Sequence, residues 1–542
     1  MRTPQALQPF RHSIFRSVWL ANLASNFGGL IQTVGAGWMM AVIAGTADMV
    51  TLVQAAATLP IMLFSLLSGA IADNFNRRTV MLLAQLFMFA VSALLAVATY
   101  GGLMTPWLLL AFTFLIGCGL ALNNPSWQAS LAEMVPKSDL PAAIALNGLG
   151  FNITRGVGPA VGGAIVAGFG AAMAFMVNAL SYIPLFFVLW RWKAPERATA
   201  LPREALLPAM TAGLRYVAMS PNIQAILLRS FVFGFSVISV LALLPIVARD
   251  MLDGDALLYG MLFAAFGIGA VCGALVSGHL RARYSTEWAA RLAFLGFAAC
   301  ALMLALVPWA WLMFLALVVG GACWVIALSM FNISVQLSTP RWVVGRALSL
   351  YQTAVFGGQA LGAWTWGVTA EALGPEYALA IAAASMLAGA AIGVGRLALP
   401  ALSSADLDPS NRWTEPKPAW ALTPRSGPVI IKIDYVVSAG NVPAFLELMV
   451  ERRRIKRRDG ARHWMLVHDI ENATVWTESY AFPTWLDYVR YSKRMTQADT
   501  GLTDQIRRLH TGDEPPRIRR VLQETLRRPD AHTANLGVTD LP

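Results

Sequence analysis

Between two long apolar runs, a carboxylate and two guanidinium groups fall close together in Gly69-Ala70-Ile71-Ala72-Asp73-Asn74-Phe75-Asn76-Arg77-Arg78. Only a short turn fits there, so these charges lie at a membrane surface. A carboxylate near a helix end can pair with arginines or with helix N-termini in one conformation and release them in another, which makes Asp73 with Arg77 and Arg78 a candidate conformational latch. The plainer alternative is a solvated loop whose arginines only fix topology. A degraded copy runs Gly273-Ala274-Leu275-Val276-Ser277-Gly278-His279-Leu280-Arg281-Ala282-Arg283, 204 residues after Gly69. Ser277 stands where the carboxylate would be, so the second copy is expected to lack the switch.

A second candidate is Arg155, inside an otherwise uncharged apolar run. A charge at membrane depth is expensive and normally faces a cavity or a partner. Arg155 is expected to line a central cavity and meet an anionic or polar group of a substrate; the alternative is a structural pairing with a helix C-terminus or Glu133. Asn22, Asn26, Gln32, Gln54, Asn123, Asn124, Gln352 and Gln359 are polar residues of neighbouring spans that could join it. Each of them also suits an ordinary interhelical hydrogen bond. Around Arg155, the small residues Gly158, Pro159, Gly162 and Gly163 allow close helix approach. No Asp or Glu sits in the middle of a span; Asp73, Glu133 and Glu371 lie near span ends. No glycine-rich phosphate loop ending in Lys-Ser/Thr occurs, which argues against an ATP-driven pump.

The elements that must hold these residues follow from composition. The chain has 542 residues, 57% hydrophobic and 13% charged, against about 25% charged for soluble domains. A membrane-crossing helix needs about 20 mostly apolar residues. Suitable runs are 17–43, 49–72, 79–101, 106–128, 141–168, 171–191, 223–249, 256–280, 287–307, 310–334, 343–368 and 375–398, about twelve in all. Basic residues concentrate in alternate loops (Arg77, Arg78, Lys137, Arg191, Lys193, Arg281, Arg283, Arg341), which puts those loops and both termini in the cytoplasm. The net charge of +11 is therefore read as topology, not as a nucleic-acid surface. Cys118, Cys272, Cys300 and Cys323 show no metal or disulfide spacing and read as packing residues. The N-terminus continues into a full-length span, not a cleavable signal peptide.

Pro136 also recurs 204 residues later, as Pro340, and on that register Arg155 meets Gln359, Gly158 meets Gly362 and Gly163 meets Gly367. The expected organisation is a six-helix half over 1–191, a central cytoplasmic loop over 192–222, a second six-helix half over 223–399, a Pro-rich linker over 400–428, a soluble α+β domain over 429–525 and a tail over 526–542.

The Gly69–Arg78 loop resembles the loop between the second and third helices of major facilitator superfamily transporters, and Gly158-Pro159-Ala160-Val161-Gly162-Gly163 resembles the fifth-helix motif of the superfamily's drug–proton antiporters, with some distant glycines of that motif missing. The whole arrangement is similar to the enterobactin-exporter-like, or transmembrane secretion effector, group. That resemblance implies an inner-membrane secondary transporter, two parallel halves rocking about a central site, and export of a siderophore, drug or secondary metabolite. Proton coupling is implied by the resemblance alone.

In the soluble segment, 430–437, 463–468 and 474–480 read as strands; 442–458 and about 483–497 read as helices, and a short helical stretch and a last strand near 516–522 complete it. The order β-α-β-β-α-β is that of a ferredoxin-like unit, and it resembles the antibiotic-biosynthesis-monooxygenase-like dimeric barrel. No cofactor motif is visible, and enzymatic chemistry does not follow from the fold. His463 and His468 read as exposed strand histidines. The basic run Glu451-Arg452-Arg453-Arg454-Ile455-Lys456-Arg457-Arg458 suits either anionic lipid heads or a solvated face. The expected partners are a small-molecule substrate, membrane lipid and a second copy of the domain. A transporter-derived sensor signalling through this domain is the alternative function; an enzyme fused to a transporter is a third.

Overall fold

The computed structural model describes residues 5–524 except 137, 194–205, 341, 393–397, 400–406, 408, 409, 411 and 417, with side chains at 5, 6, 70, 72–74 and 206–209 also outside the description. The tail over 526–542, the start of the linker and most of the central loop's first half thus lie outside the described residues. The chain divides into two compact units, one carried mainly by residues up to 404 and one mainly by residues from 405.

The first unit is helical. Its first half holds α1 (Ser13–Ile43), α2 (Ala47–Asn74), α3 (Arg77–Tyr100), α4 (Pro106–Met134), α5 (Leu140–Phe169) and α6 (Ala171–Arg191). A short amphipathic α7 (Leu206–Ala218) follows, inside what reads from sequence as a plain loop. The second half holds α8 (Pro221–Ile246), which ends in a π-helical turn over Val247–Met251, then α9 (Ala256–Arg283), α10 (Thr286–Leu306), α11 (Ala310–Leu337), α12 (Val344–Leu373) and α13 (Pro375–Ile392).

Among the described residues, nine helices are long and apolar enough to cross a membrane. The long helices α1, α5 and α12 carry more Gly, Asn, Gln and Arg and fall outside that set. Large apolar side chains face outward, as Leu83, Leu86, Leu94 and Val97 do on α3. Such a surface suits hydrocarbon and not water.

The halves repeat. Helices α4, α5 and α6 begin at 106, 140 and 171, and α11, α12 and α13 begin at 310, 344 and 375, each 204 later. The Gly69–Gly273 anchor does not keep that register. Helices α2 and α3 begin at 47 and 77, and α9 and α10 at 256 and 286, each 209 later. Gly273 therefore lies deeper in its helix than Gly69, and there it packs against the Ala322 backbone of α11.

The second unit carries β1 (Val429–Val436), α14 (Val442–Arg458), β2 (Arg462–His468), β3 (Val475–Phe482), α15 (Trp485–Arg494), α16 (Gln497–Arg508) and β4 (Arg517–Leu522). The strands form one antiparallel sheet in the order β2-β3-β1-β4. Val429, Ile431, Ile433 and Tyr435 alternate into a core shared with Phe445 and Met449 of α14 and with Tyr480 and Phe482 of β3. Where the sequence suggests one helix over about 483–497, the chain breaks at Met495. Thr496 then starts α16 with a capping box, in which its side chain accepts from the Asp499 N–H and Asp499 bonds back to Thr496 N.

Candidate functional site

Arg155 sits at the middle of its helix. Fifteen residues separate it from Leu140 and fourteen from Phe169, about 22 Å from either end at 1.5 Å per residue. Gln359 occupies the same position in α12, and Trp324 is equally central in α11.

Helical geometry fixes which way Arg155 faces. Gly158 and Gly162 pack on Leu30 and Ile31 of α1, and Gly156 and Gly163 pack on α9. Val157, Ile153 and Val161 are exposed on the far side. At 100° per residue, Arg155 falls between the α1 and α9 contacts, toward the interior. Its guanidinium lies 3.8 Å from the ring centroid of Trp324 and 4.8 Å from that of Phe151. Among the described residues, neither Glu133 nor a helix C-terminus pairs with it; Glu133 instead accepts from Arg77 at 2.9 Å.

The same reasoning places the other polar residues. On α12, Ser349, Thr353 and Gly367 face α2, whereas Gly358, Gly362 and Trp366 face α8. Gln352 and Gln359, seven residues apart, share the inner face between them. On α1, Asn22, Asn26 and Thr33 share a face with Gly29, where an added methyl would meet nothing within 4 Å. Gln32 points elsewhere. Its carbonyl oxygen accepts from Ser92 Oγ at 3.0 Å and from Asn178 Nδ2, so here it ties α1 to α3 and α6. Asn124 is exposed, while its neighbour Asn123 is buried and accepts from Gln85.

One end of the helix bundle is closed. A methyl added at Gly163 would come 2.7 Å from Ala256 O and 2.9 Å from Gly260 Cα. Trp38 stacks on Tyr259 at 6.3 Å, and Ala47 N donates to Glu371 Oε2 at 2.6 Å. Toward the opposite end, Ile144 and Phe151, on the same face of α5 as Arg155, are 56% and 48% exposed. Nothing lies within 4 Å of a methyl added at Gly148. The inner face is thus open from the 135–139 side up to about Arg155 and sealed beyond it.

The arginines of the Gly69 loop have specific work. Arg77 Nη1 also donates to Ala129 O at 2.6 Å. Arg78 donates to Leu189 O at 2.9 Å and Trp190 O at 2.6 Å, and so caps the C-terminal end of α6. Gly69 approaches Ser349 of α12, with an added methyl 3.2 Å from its Oγ. Asp73 lies in α2, and its side chain is outside the described ones.

Comparison with known proteins decides the class. The profile described as Transmembrane secretion effector matches residues 4–529. The chain belongs to this family. The chain is 25% identical over 406 residues to the multidrug efflux pump Tap of Mycolicibacterium fortuitum, covering 72% of this chain and 96% of Tap. It is 26% identical over 258 residues to the staphyloferrin A transporter of Staphylococcus aureus, covering 46% of this chain and 63% of that protein, so the match spans less than two thirds of that relative's length. A bacterial homologue of the lysosomal transporter Spinster, in an inward-facing and unoccupied conformation, aligns with a TM-score of 0.55 at 16% identity, over 72% of this chain and 96% of its own. The nucleoside transporter NupG aligns with a TM-score of 0.58 at 13% identity, over 70% of this chain and 98% of its own. These two show the major facilitator fold alone. The family and the named relatives are membrane transporters, not enzymes.

Sequence reasoning missed Trp324. Tryptophan is enriched where spans meet the interface, as Trp309 and Trp311 do at the start of α11. A tryptophan at mid-span departs from that rule, and this was the available signal.

The second unit has its own buried ionic cluster. Glu478 is fully buried and accepts from Arg452 Nε at 2.7 Å, Trp464 Nε1 at 2.9 Å and Tyr435 OH at 3.2 Å. Burial alone would raise its carboxyl; the Arg452 and Lys456 charges outweigh that and hold it below its ordinary value. Lys456 donates to Tyr491 OH and lies 4.8 Å from the Tyr480 ring. Burial, aided by the Arg452 charge, pushes the Lys456 amine down to about 7. The basic run on α14 is therefore not one outward face, because Arg452 and Lys456 are core residues. His463 and His468 are exposed, and His468 stacks on Trp476 at 4.0 Å.

Proposed function

We propose that this protein is a secondary exporter of small organic molecules working by alternating access. The carrying observation is an inner face of polar residues at mid-span, accessible from one end and sealed at the other by α1, α5 and α9. On this reading α1, α5 and α12 also cross the membrane, giving twelve spans, and their lower apolarity reflects the cavity they line. The substrate would bind among Arg155, Asn26, Asn124, Gln352 and Gln359, with Gln32 holding the α1 wall in place. The basic loops support an orientation in a bacterial inner membrane with both termini in the cytoplasm, in which the accessible end would face inward. Gly158, Pro159, Gly162 and Gly163 form the seam along which α5 separates from α1 and α9. Asp73 would act as the latch, with Arg77 and Arg78 anchoring the ends of α4 and α6 beside it. Efflux by the relative Tap supports the direction of transport. The second unit's strand order supports a ferredoxin-like domain, which could pair with its copy or rest on lipid through Arg453, Arg454 and Arg457.

Reversible cross-linking tests the cycle. An Ala47→Cys/Glu371→Cys pair, placed where α2 and α12 hydrogen-bond at the sealed end, in a chain lacking the native cysteines, should stop export when bridged by a short bis-methanethiosulfonate reagent and regain it on reduction. The readout is the outward release, by intact cells, of a compound whose external level depends on the gene. Unchanged release from the cross-linked protein would rule out separation of the two halves at this end as part of the cycle.

A further inference from the structure

We infer that Arg155 and Trp324 form an anion-accepting corner at the centre of the cavity, and that the transported molecule is an organic anion presenting a carboxylate to it. This deepens the exporter reading and rests on it.

Two donors meet there without acceptors. The indole Nε1 of Trp324 is buried and has no hydrogen-bond partner among the described residues; the side chain is 7% exposed. A buried donor left without an acceptor is costly. Beside it lies the Arg155 guanidinium, which has no ion pair and no hydrogen bond among the described residues and is held only by the faces of Trp324 and Phe151. With no hydrogen bond of its own among the described residues, the guanidinium keeps its N–H fork for a planar acceptor.

The charge balance points the same way. Acidic residues of the long helices sit at their ends: Asp48, Asp73, Glu133, Glu287, Glu371 and Glu376. Glu287 is taken by Arg229 and by Arg291, and Glu133 by Arg77. Among the described residues, nothing at the depth of Arg155 neutralises it. A cationic guest would face an uncompensated like charge in a low-dielectric space, whereas a carboxylate would satisfy both donors and the charge together. Gln359, at the equivalent height on α12, is 6% exposed with no hydrogen-bond partner among the described residues. It supplies a neutral amide where the first half supplies the cation, so the site has one charged pole.

The test uses the full-length protein in lipid nanodiscs and three probes of one shape: 1-naphthoate, 1-naphthamide and 1-naphthylmethylammonium. Wild-type protein should bind the carboxylate about tenfold or more tightly than the amide, as a charge-assisted pair predicts. Arg155→Gln should abolish that preference, and Arg155→Lys should keep part of it. Trp324→Phe, which keeps the ring and removes the N–H, should weaken carboxylate binding about two- to tenfold and leave amide binding unchanged. Equal binding of carboxylate and amide, tighter binding of the ammonium probe, or a preference that survives Arg155→Gln would each overturn the proposal. Counterflow of the amide or ammonium probe in proteoliposomes, without that of the carboxylate, would overturn the anion assignment while leaving the transporter reading intact.

Discussion

Gly163→Ala should loosen the sealed end of the cavity. The added methyl would sit 2.7 Å from Ala256 O and 2.9 Å from Gly260 Cα, and both are backbone atoms that no rotamer change can move. Ordinary contact begins at 3.4 Å, so α5 and α9 must part by about 0.7 Å. Overpacking of this kind costs about 1–3 kcal/mol. Because the cost falls on the state in which α5 touches α9, it shifts the conformational equilibrium about 5- to 150-fold toward the opposite state. The reporter is Thr33→Cys, on the inner face of α1, in a chain lacking the native cysteines. A membrane-impermeant maleimide is applied from the side of the 252–255 loop. Labelling of Thr33→Cys should speed up by that factor, short of saturation, when Gly163→Ala is added. Gly168→Ala is the control, since a methyl there meets nothing within 4 Å on the same helix. Equal labelling rates in the Gly163→Ala and Gly168→Ala proteins would refute the argument that this crossing seals the cavity.

Other outcomes follow from the same geometry. Asp73→Asn should impair export while leaving membrane insertion and expression unchanged; normal export would remove the latch. Arg452→Met should destabilise the second unit by about 3–5 kcal/mol, because it leaves the Glu478 carboxylate buried without its partner, read as faster hydrogen exchange of β1 and β3 in the full-length protein. Lys456→Met should be tolerated and should remove a pH dependence. With the folded amine near 7 and the unfolded one near 10.4, the unfolded state binds more protons above pH 7, so wild-type stability should be flat below pH 7 and rise by about 1.4 kcal/mol per pH unit above it. Hydrogen exchange at pH 6 and pH 8, corrected for intrinsic rates, gives the slope; its persistence in Lys456→Met would contradict the assignment.

The helices were legible in the sequence because apolar length is a direct physical requirement of a bilayer. Their ends were less so. The run 106–128 belongs to a helix that continues to Met134, and 17–43 to one that starts at Ser13, since helices project past the hydrocarbon with polar turns that an apolar window does not register. Helix α7 was hidden by the basic, proline-bearing loop around it, although Leu206, Met210, Leu214 and Val217 are spaced as one helix face. The mid-span polar residues were visible as a set, but their directions were not. Gln32 and Asn26 look alike in sequence and differ only in which neighbours α1 presents to them. The buried role of Arg452 and Lys456 follows from their continuing the Phe445–Met449 stripe, a spacing that their charge masks in the sequence.

Export past Arg155 is tested by comparing small molecules inside and outside cells with the gene deleted, restored, or restored as Arg155→Ala, under several growth conditions including iron limitation. At least one organic anion should be retained on deletion, released on restoration, and retained again with Arg155→Ala at equal protein levels. No compound changing sides in any condition, or full release by the Arg155→Ala protein, would contradict it.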